Sequence, residues 1–190
     1  LVGGKSAFPV GLAEQVRDRR AEVSPAGSDV HLAWSPEFTR EGFAVQDALE
    51  PDRIVVGVDR QEDADELAEV LAPVLAHGMP YVVVDLATAQ LVKNAANAFL
   101  ATKISFINAM AELCEASGAD VVQLAEALSH DERIGGQFLR AGLGFGGGCL
   151  PKDIRAFMAR AGELGVDQAL AFLSDVSMGV LGGALKRKEK

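Results

Sequence analysis

Ile54-Val55-Val56-Gly57-Val58, followed by a polar segment from Glu62 to His77 and then by Tyr81-Val82-Val83-Val84, decides the fold class. Two short apolar runs flank a segment with helical character, and strands separated by helices of about 10 to 15 residues predict a parallel sheet. Working outward toward the N-terminus, Val30–Trp34 and Leu1–Val2 read as further strands, with a helix near Gly11–Arg20 between them. Toward the C-terminus the period changes. From Asp85 onward Leu91, Ala95, Phe99, Ile107, Met110 and Cys114 recur at helical spacing until Gly118, which predicts one helix of about 30 residues. Asp120 is placed to cap a shorter helix through Leu128. A glycine-rich stretch, Ala141–Gly148, then interrupts the pattern, Pro151 opens another helix ending near Gly165, and a last helix spans roughly Asp167–Leu185. The chain is therefore expected to be α/β, with part of a parallel sheet over residues 1–86 and an all-α region over 87–190.

Bulk properties narrow the function classes. The chain has 190 residues, 49% of them hydrophobic and 24% charged, enough for one large globular domain or two small ones. A net charge of −9 argues against a nucleic-acid partner, because binding phosphate backbones requires a basic face. No run reaches the roughly 18 apolar residues of a membrane span. Cys114 and Cys149 stand far apart in a chain without a signal-type segment, which favours free thiols and a cytoplasmic setting. His31, His77 and His130 lack metal-ligand spacing, so no metal site is predicted.

Three segments could carry chemistry. In Gly142-Leu-Gly-Phe-Gly-Gly-Gly-Cys149-Leu-Pro-Lys152-Asp153 a cysteine follows a glycine run and precedes a helix, whose positive end and free amides favour the thiolate, the nucleophilic form. Asp153 lies one turn on, where it could accept a proton or orient water; the alternative is a small packed Cys with a first-turn helix charge. On the long helix Lys93 and Asn97 are four residues apart and share a face with Gln90 and Asn108, either a site able to stabilise an oxyanion or a solvated polar stripe. Ser35-Pro36-Glu37-Phe38-Thr39-Arg40-Glu41-Gly42 follows a strand and falls in a loop at its C-terminal end, where open parallel sheets bind ligands. It is equally readable as a charged loop. Arg133 alone reads as a surface charge, and Cys114 as packing.

Together these segments resemble the UDP-glucose/GDP-mannose dehydrogenase family, in which a Phe-Gly-Gly-x-Cys-x-Pro-Lys-Asp signature surrounds the catalytic cysteine. The likeness runs through Lys5-Ser6-Ala7-Phe8-Pro9-Val10-Gly11, the Ser35–Gly42 loop, Pro51-Asp52-Arg53-Ile54-Val55-Val56-Gly57, Lys93-Asn94-Ala95-Ala96-Asn97, Lys103–Asn108 and Arg133-Ile134-Gly135. It implies the C-terminal part of a Rossmann-like, NAD-binding domain over 1–86 and a central α-helical dimerisation domain over 87–190.

The resemblance further implies oxidation of a nucleotide-sugar C6 alcohol to a carboxylate with two NAD⁺. UDP-glucose is the favoured substrate, with GDP-mannose or a UDP-N-acetylhexosamine as alternatives. Cys149 would form a thiohemiacetal and then a thioester, Lys93 and Asn97 would stabilise oxyanion-like states, Asp153 would assist proton transfer, and Glu41 would activate the hydrolytic water. Glu37, Phe38, Phe138, Arg140 and Gly146 would line the substrate site, and Arg133 would reach the sugar of a neighbouring subunit in a homodimer built on the long helix. Ser6, Ala7, Glu41 and Lys152 would face the cofactor. Ala7 departs from the family, which usually has Thr or Ser there. No strand is followed by a G-x-G-x-x-G turn. The chain is accordingly expected to be an internal fragment, inactive by itself, with a non-catalytic helical dimer remnant as the competing reading.

Overall fold

The computed structural model describes residues 1–6, 9–142 and 148–182, the side chains of residue 28 and of residues 178–182 excepted. The chain divides into two compact units, a sheet unit at Leu1–Lys93 and a helical unit at Asn94–Lys190.

In the sheet unit four strands lie in sequence order: β1 (Val2–Gly4), β2 (Leu32–Trp34), β3 (Ile54–Gly57) and β4 (Tyr81–Val84). β1 pairs with β2 in parallel, as does β3 with β4. The two pairs meet antiparallel through one residue pair, Trp34 with Gly57, so the sheet is parallel-dominated, as expected, with one antiparallel junction. The segment joining β2 to β3 holds only a six-residue helix, α2 (Ala44–Leu49), which the sequence pattern did not reveal, in place of the crossover helix that usually carries a parallel connection. Pro36, two residues beyond β2, has no N–H to extend that ladder.

Side chains leave the strands alternately toward two cores. On one face Leu32, Trp34 and Val55 pack with Ala13 of α1 (Leu12–Val23) and with Leu86 and Ala89. On the other, Ala33, Ile54 and Val56 pack with Ala64 of α3 (Gln61–Val70). The single helix expected over Glu62–His77 is broken at Leu71, and a short α4 (Ala72–Leu75) follows. Pro73 in its first turn is the cause: the ring lacks an N–H and would clash with the carbonyl four residues back. At Gly57 a Cβ would lie 2.6 Å from the Ala89 Cβ and 2.8 Å from the Asp85 carbonyl oxygen, so only glycine lets α5 (Leu86–Ser117) start this close to β3.

α5 continues into the helical unit, joined there by α6 (Val121–Ser129), α7 (Cys149–Glu163) and α8 (Asp167–Gly182). Asp120 caps α6 as its position predicted, its Oδ1 accepting the amides of Val122 at 2.7 Å and Gln123 at 3.3 Å. Ala101, Leu150, Ile154 and Val176 form the core joining α5, α7 and α8. α7 starts at Cys149, two residues before the expected Pro151; proline is tolerated inside a first turn because those amides have no intrahelical acceptor. Gly165, at φ 69, follows its end. Among the described residues no helix is long and apolar enough to cross a membrane.

Candidate active site

The loop that leaves β2 organises the sheet-unit half of the candidate site. Glu37 accepts hydrogen bonds on Oε1 from the Thr39 hydroxyl and from the Thr39 amide, the latter at 3.0 Å. These bonds, above all the hydroxyl's, hold the Glu37 carboxyl below its ordinary value against the opposing effect of burial, and the cations of Lys93 and Lys5 assist. Phe38 meets two cations: the Arg53 guanidinium is 4.2 Å from the ring centroid and the Lys93 ammonium 5.5 Å. A cleft of about 260 Å³ opens beside these residues, lined by Lys5, Ser35, Glu37, Phe38, Arg40 and Arg53 among others. The structure thus brings Glu37, Phe38 and Lys93 together.

Glu41 stands exposed on the turn beyond. Arg40 is engaged by Asp47 of α2, which accepts from its backbone amide at 2.8 Å, Nε at 3.0 Å and Nη2 at 2.6 Å. Ser6 follows β1 and is partly buried, and Ala7 lies outside the described residues. Gln90 is separated from Lys93 by its contacts. Its Oε1 accepts the Ala13 amide at 3.1 Å, and its Nε2 donates to the Leu86 carbonyl and to Glu14, so it is a buried tie between α5 and α1.

In the helical unit Cys149 occupies the first position of α7 and is exposed, while Cys114 is buried. One turn later Asp153 is only 4% exposed, and the Asn97 Nδ2 donates to its Oδ2 at 2.6 Å. Lys152 reaches the other oxygen of Asp153 at 3.3 Å with its own side chain mostly in solvent. A carboxylate buried at this depth keeps a fixed direction because a charge-assisted hydrogen bond meets it. Arg133 does not join this group: its guanidinium is 88% exposed and bound to Asp131 of the same turn at 2.6 Å. That ion pair raises the guanidinium and lowers the Asp131 carboxyl. Phe138 and Arg140 are exposed, Phe138 with a left-handed φ of 63 that a bulky residue rarely adopts. Gly146 lies outside the described residues.

Residues 1–75 match the UDP-glucose/GDP-mannose dehydrogenase family, NAD binding domain, and residues 87–177 match the central domain of the same family. The chain belongs to this family. It is 48% identical over 156 residues to a UDP-glucose 6-dehydrogenase of Rickettsia typhi, a match covering 82% of this chain and 35% of that protein. It is 39% identical over 195 residues to a UDP-glucose 6-dehydrogenase of Bacillus subtilis, covering 96% of this chain and 44% of that protein. Among solved structures, a UDP-glucose dehydrogenase from Pyrobaculum islandicum superposes with a TM-score of 0.82 at 36% identity, over 96% of this chain and 42% of that chain. The chain spans between a third and a half of the length of these relatives.

The NAD assignment fits what the sheet unit contains. β1 and β2 run parallel side by side, and their carboxyl ends carry Lys5–Ser6 and the Ser35–Glu41 loop beside the cleft, the place where open α/β sheets take ligands. Thr39 and Arg53 are the contributors that reading the sequence left without a role. A hydroxyl two residues after a carboxylate in a loop is the one local signal that pointed to Thr39; Arg53 reaches Phe38 from beyond α2, which no spacing rule anticipates.

Proposed function

We propose that this chain is part of an NAD-dependent nucleotide-sugar 6-dehydrogenase, contributing a segment of the NAD-binding domain over 1–86 and a central α-helical domain over 87–190. UDP-glucose is the favoured substrate, as the names of the relatives suggest. The observation that carries the reading is an exposed thiol on the first residue of a helix with a buried, asparagine-held carboxylate one turn on. An exposed thiol can reach a substrate as a nucleophile, and a carboxylate held one turn away can assist proton transfer.

NAD⁺, when bound, supplies the hydride acceptor for each of two oxidations; Ser6, Ala7, Glu41 and Lys152 are the residues of this chain that would face it. The C6 alcohol gives up a hydride and a proton to become an aldehyde. The Cys149 sulfur then adds to the aldehyde carbon, forming a C–S bond, and the oxygen, held by Lys93 and Asn97, takes up a proton to complete the thiohemiacetal. Loss of a second hydride, from the same carbon, and of that proton leaves a thioester. Water, positioned by Glu41 and losing one proton toward Asp153, attacks the acyl carbon; the C–S bond breaks, the thiolate is restored, and the acid gives its remaining proton to solvent and leaves as the carboxylate. Glu37, Phe38, Phe138, Arg140 and Gly146 bind the nucleotide sugar, and Arg133 reaches the sugar held by a neighbouring subunit. Its high exposure suits a residue meant for a partner.

The dimer of this reading forms through α5 in the cytoplasm. Phe99, Phe106 and Leu113 recur about two turns apart on that helix and are exposed, an apolar stripe that favours covering. Light scattering at tens of micromolar is expected to give a dimer, and a strict monomer would count against it.

The decisive test is Cys149→Ser in the protein completed at both ends. Formation of the uronic acid is expected to fall by at least about 10³-fold while nucleotide-sugar affinity stays within about twofold, because a serine hydroxyl is not ionised near neutrality. Acid formation at the parental rate would reject the covalent route. Preference for GDP-mannose or a UDP-N-acetylhexosamine would keep the chemistry and change the substrate.

A further inference from the structure

Resting on that reading, we propose that Lys103 is a positioning residue for Arg133, tying the turn that bears it to the face of α5 proposed to meet the neighbouring subunit. The Lys103 Nζ donates to the Ile134 carbonyl at 2.9 Å and to the Gly135 carbonyl at 3.2 Å, the two residues that directly follow Arg133. Among the described residues Lys103 has no carboxylate partner, so its donors go to these two backbone acceptors. Consecutive carbonyls can meet one ammonium because Gly135 is left-handed, at φ 66, a conformation that glycine adopts without strain.

The turn is closed from within by Asp131. Its carbonyl accepts the amides of Ile134 and Gly135, each at 2.9 Å, and its carboxylate accepts the Arg133 amide at 3.0 Å and guanidinium at 2.6 Å. Those bonds join near neighbours, so they fix the shape of the turn and not its place on the molecule. Lys103, 31 residues from Ile134 in the chain, supplies the tie to another helix. Its position on that helix matters. Lys103 stands four residues after Phe99 and three before Phe106, spacings that put all three on one face of α5, and both phenylalanines are exposed. This is the stripe along which the dimer is proposed to form, so a turn tethered at Lys103 lies beside that seam. The Arg133 guanidinium, 88% exposed, has little packing of its own to hold it. A side chain that must enter a neighbour's site is then placed through its backbone, and a backbone fixed in advance lowers the ordering cost of binding.

Amide hydrogen exchange on the unaltered chain gives the first test. The Ile134 and Gly135 amides are expected to exchange at least about tenfold more slowly than unprotected ones. Lys103→Met keeps the apolar stem, removes the donors and should abolish most of that protection. Lys103→Arg keeps a charged fork able to span two carbonyls and should retain it. Unprotected exchange in the unaltered chain, exchange unmoved by Lys103→Met, or an Arg variant no better than Met overturns the proposal. Iodoacetamide labelling of buried Cys114 must stay slow in each variant, which separates a loosened turn from unfolding; if Lys103→Met unfolds, Lys103→Gln takes its place. In the protein completed at both ends, Lys103→Met should raise KM for the nucleotide sugar about fivefold and leave kcat within about twofold. In an Arg133→Ala background the same change should add less than about twofold, because the residue it acts through is gone. An equal factor in both backgrounds means a merely structural role and overturns the assignment. If Arg133→Ala alone leaves KM unchanged, the substrate role of Arg133 falls and the positioning role with it, even where exchange responds to Lys103→Met. Neither measurement depends on the thioester route, so both stand or fail separately from the Cys149→Ser experiment.

Discussion

The two units hold their candidate residues in opposite ways. In the sheet unit the bonds that orient the loop after β2 are local: Thr39 to Glu37, two residues apart and part-buried, and Arg40 to Asp47, seven apart. In the helical unit they are long-range, 56 residues apart for Asn97 and Asp153, where the bond is buried, and 34 for Asn108 and Gly142, where it is exposed. Local bonds survive small movements of the fold and contribute little to its stability. Long-range bonds exist only in the folded unit, and where one is buried, as between Asn97 and Asp153, groups proposed for chemistry also serve stability. Residues proposed for similar tasks should therefore fail differently when removed.

The largest difference is expected between Asn97→Ala and Thr39→Val. The first removes the buried donor to one oxygen of Asp153, leaving only Lys152 at the other, at a cost of about 2 to 3 kcal/mol. The second removes a hydroxyl from a partly exposed loop and should change stability by less than about 0.5 kcal/mol, while letting the Glu37 carboxyl rise toward its ordinary value. Urea unfolding of both variants with an NMR titration of Glu37 checks the pair. Equal losses of stability would break the contrast.

Within the sheet unit, stability resides in the contact of β3 with α5 rather than in the loop. Gly57→Ala pushes a methyl into Ala89 and the Asp85 carbonyl, backbone that cannot swing aside, and should cost about 1 to 3 kcal/mol. Thermal unfolding measures it. A neutral Gly57→Ala would mean that α5 can shift away from β3, and would move the weight of the unit onto its other face.

What could be read from the sequence follows the same division. Strand and helix positions were legible wherever an apolar period ran uninterrupted, as along α5, and Cys149 and Asp153 were legible because glycine, proline and one helical turn fix their relation. The antiparallel meeting of β2 and β3 was not, since strand direction depends on where a loop re-enters and not on strand composition. α2 escaped because six residues give too few turns for a period to show, and because Phe43, Val45 and Leu49 around it remain exposed and mark no inner face. Asn97 and Asn108 were visible as one polar stripe, but only the fold shows that they are turned inward to different segments.

The smallest expected effect concerns acid. Three donors of Arg40 hold the Asp47 carboxyl down at about 2, from an ordinary 3.8. A carboxyl depressed in the folded state contributes stability that is fully present above its unfolded value and is lost as pH falls through the folded one. The window is thus from about 4 down to about 2. Because this pair is local and its Arg40 half is exposed, its loss should leave both cores intact and release only α2 and the turn bearing Glu41, whose exposed apolar side chains offer little packing to retain them. Amide exchange in residues 40–49 should quicken over that window while exchange in β3 is unchanged, and Asp47→Asn should show the quickened exchange already at pH 5. Asp47 titrating near 3.8, or β3 loosening together with α2, would mean that the loop is coupled to the core and that the two units are less different than their hydrogen bonds indicate.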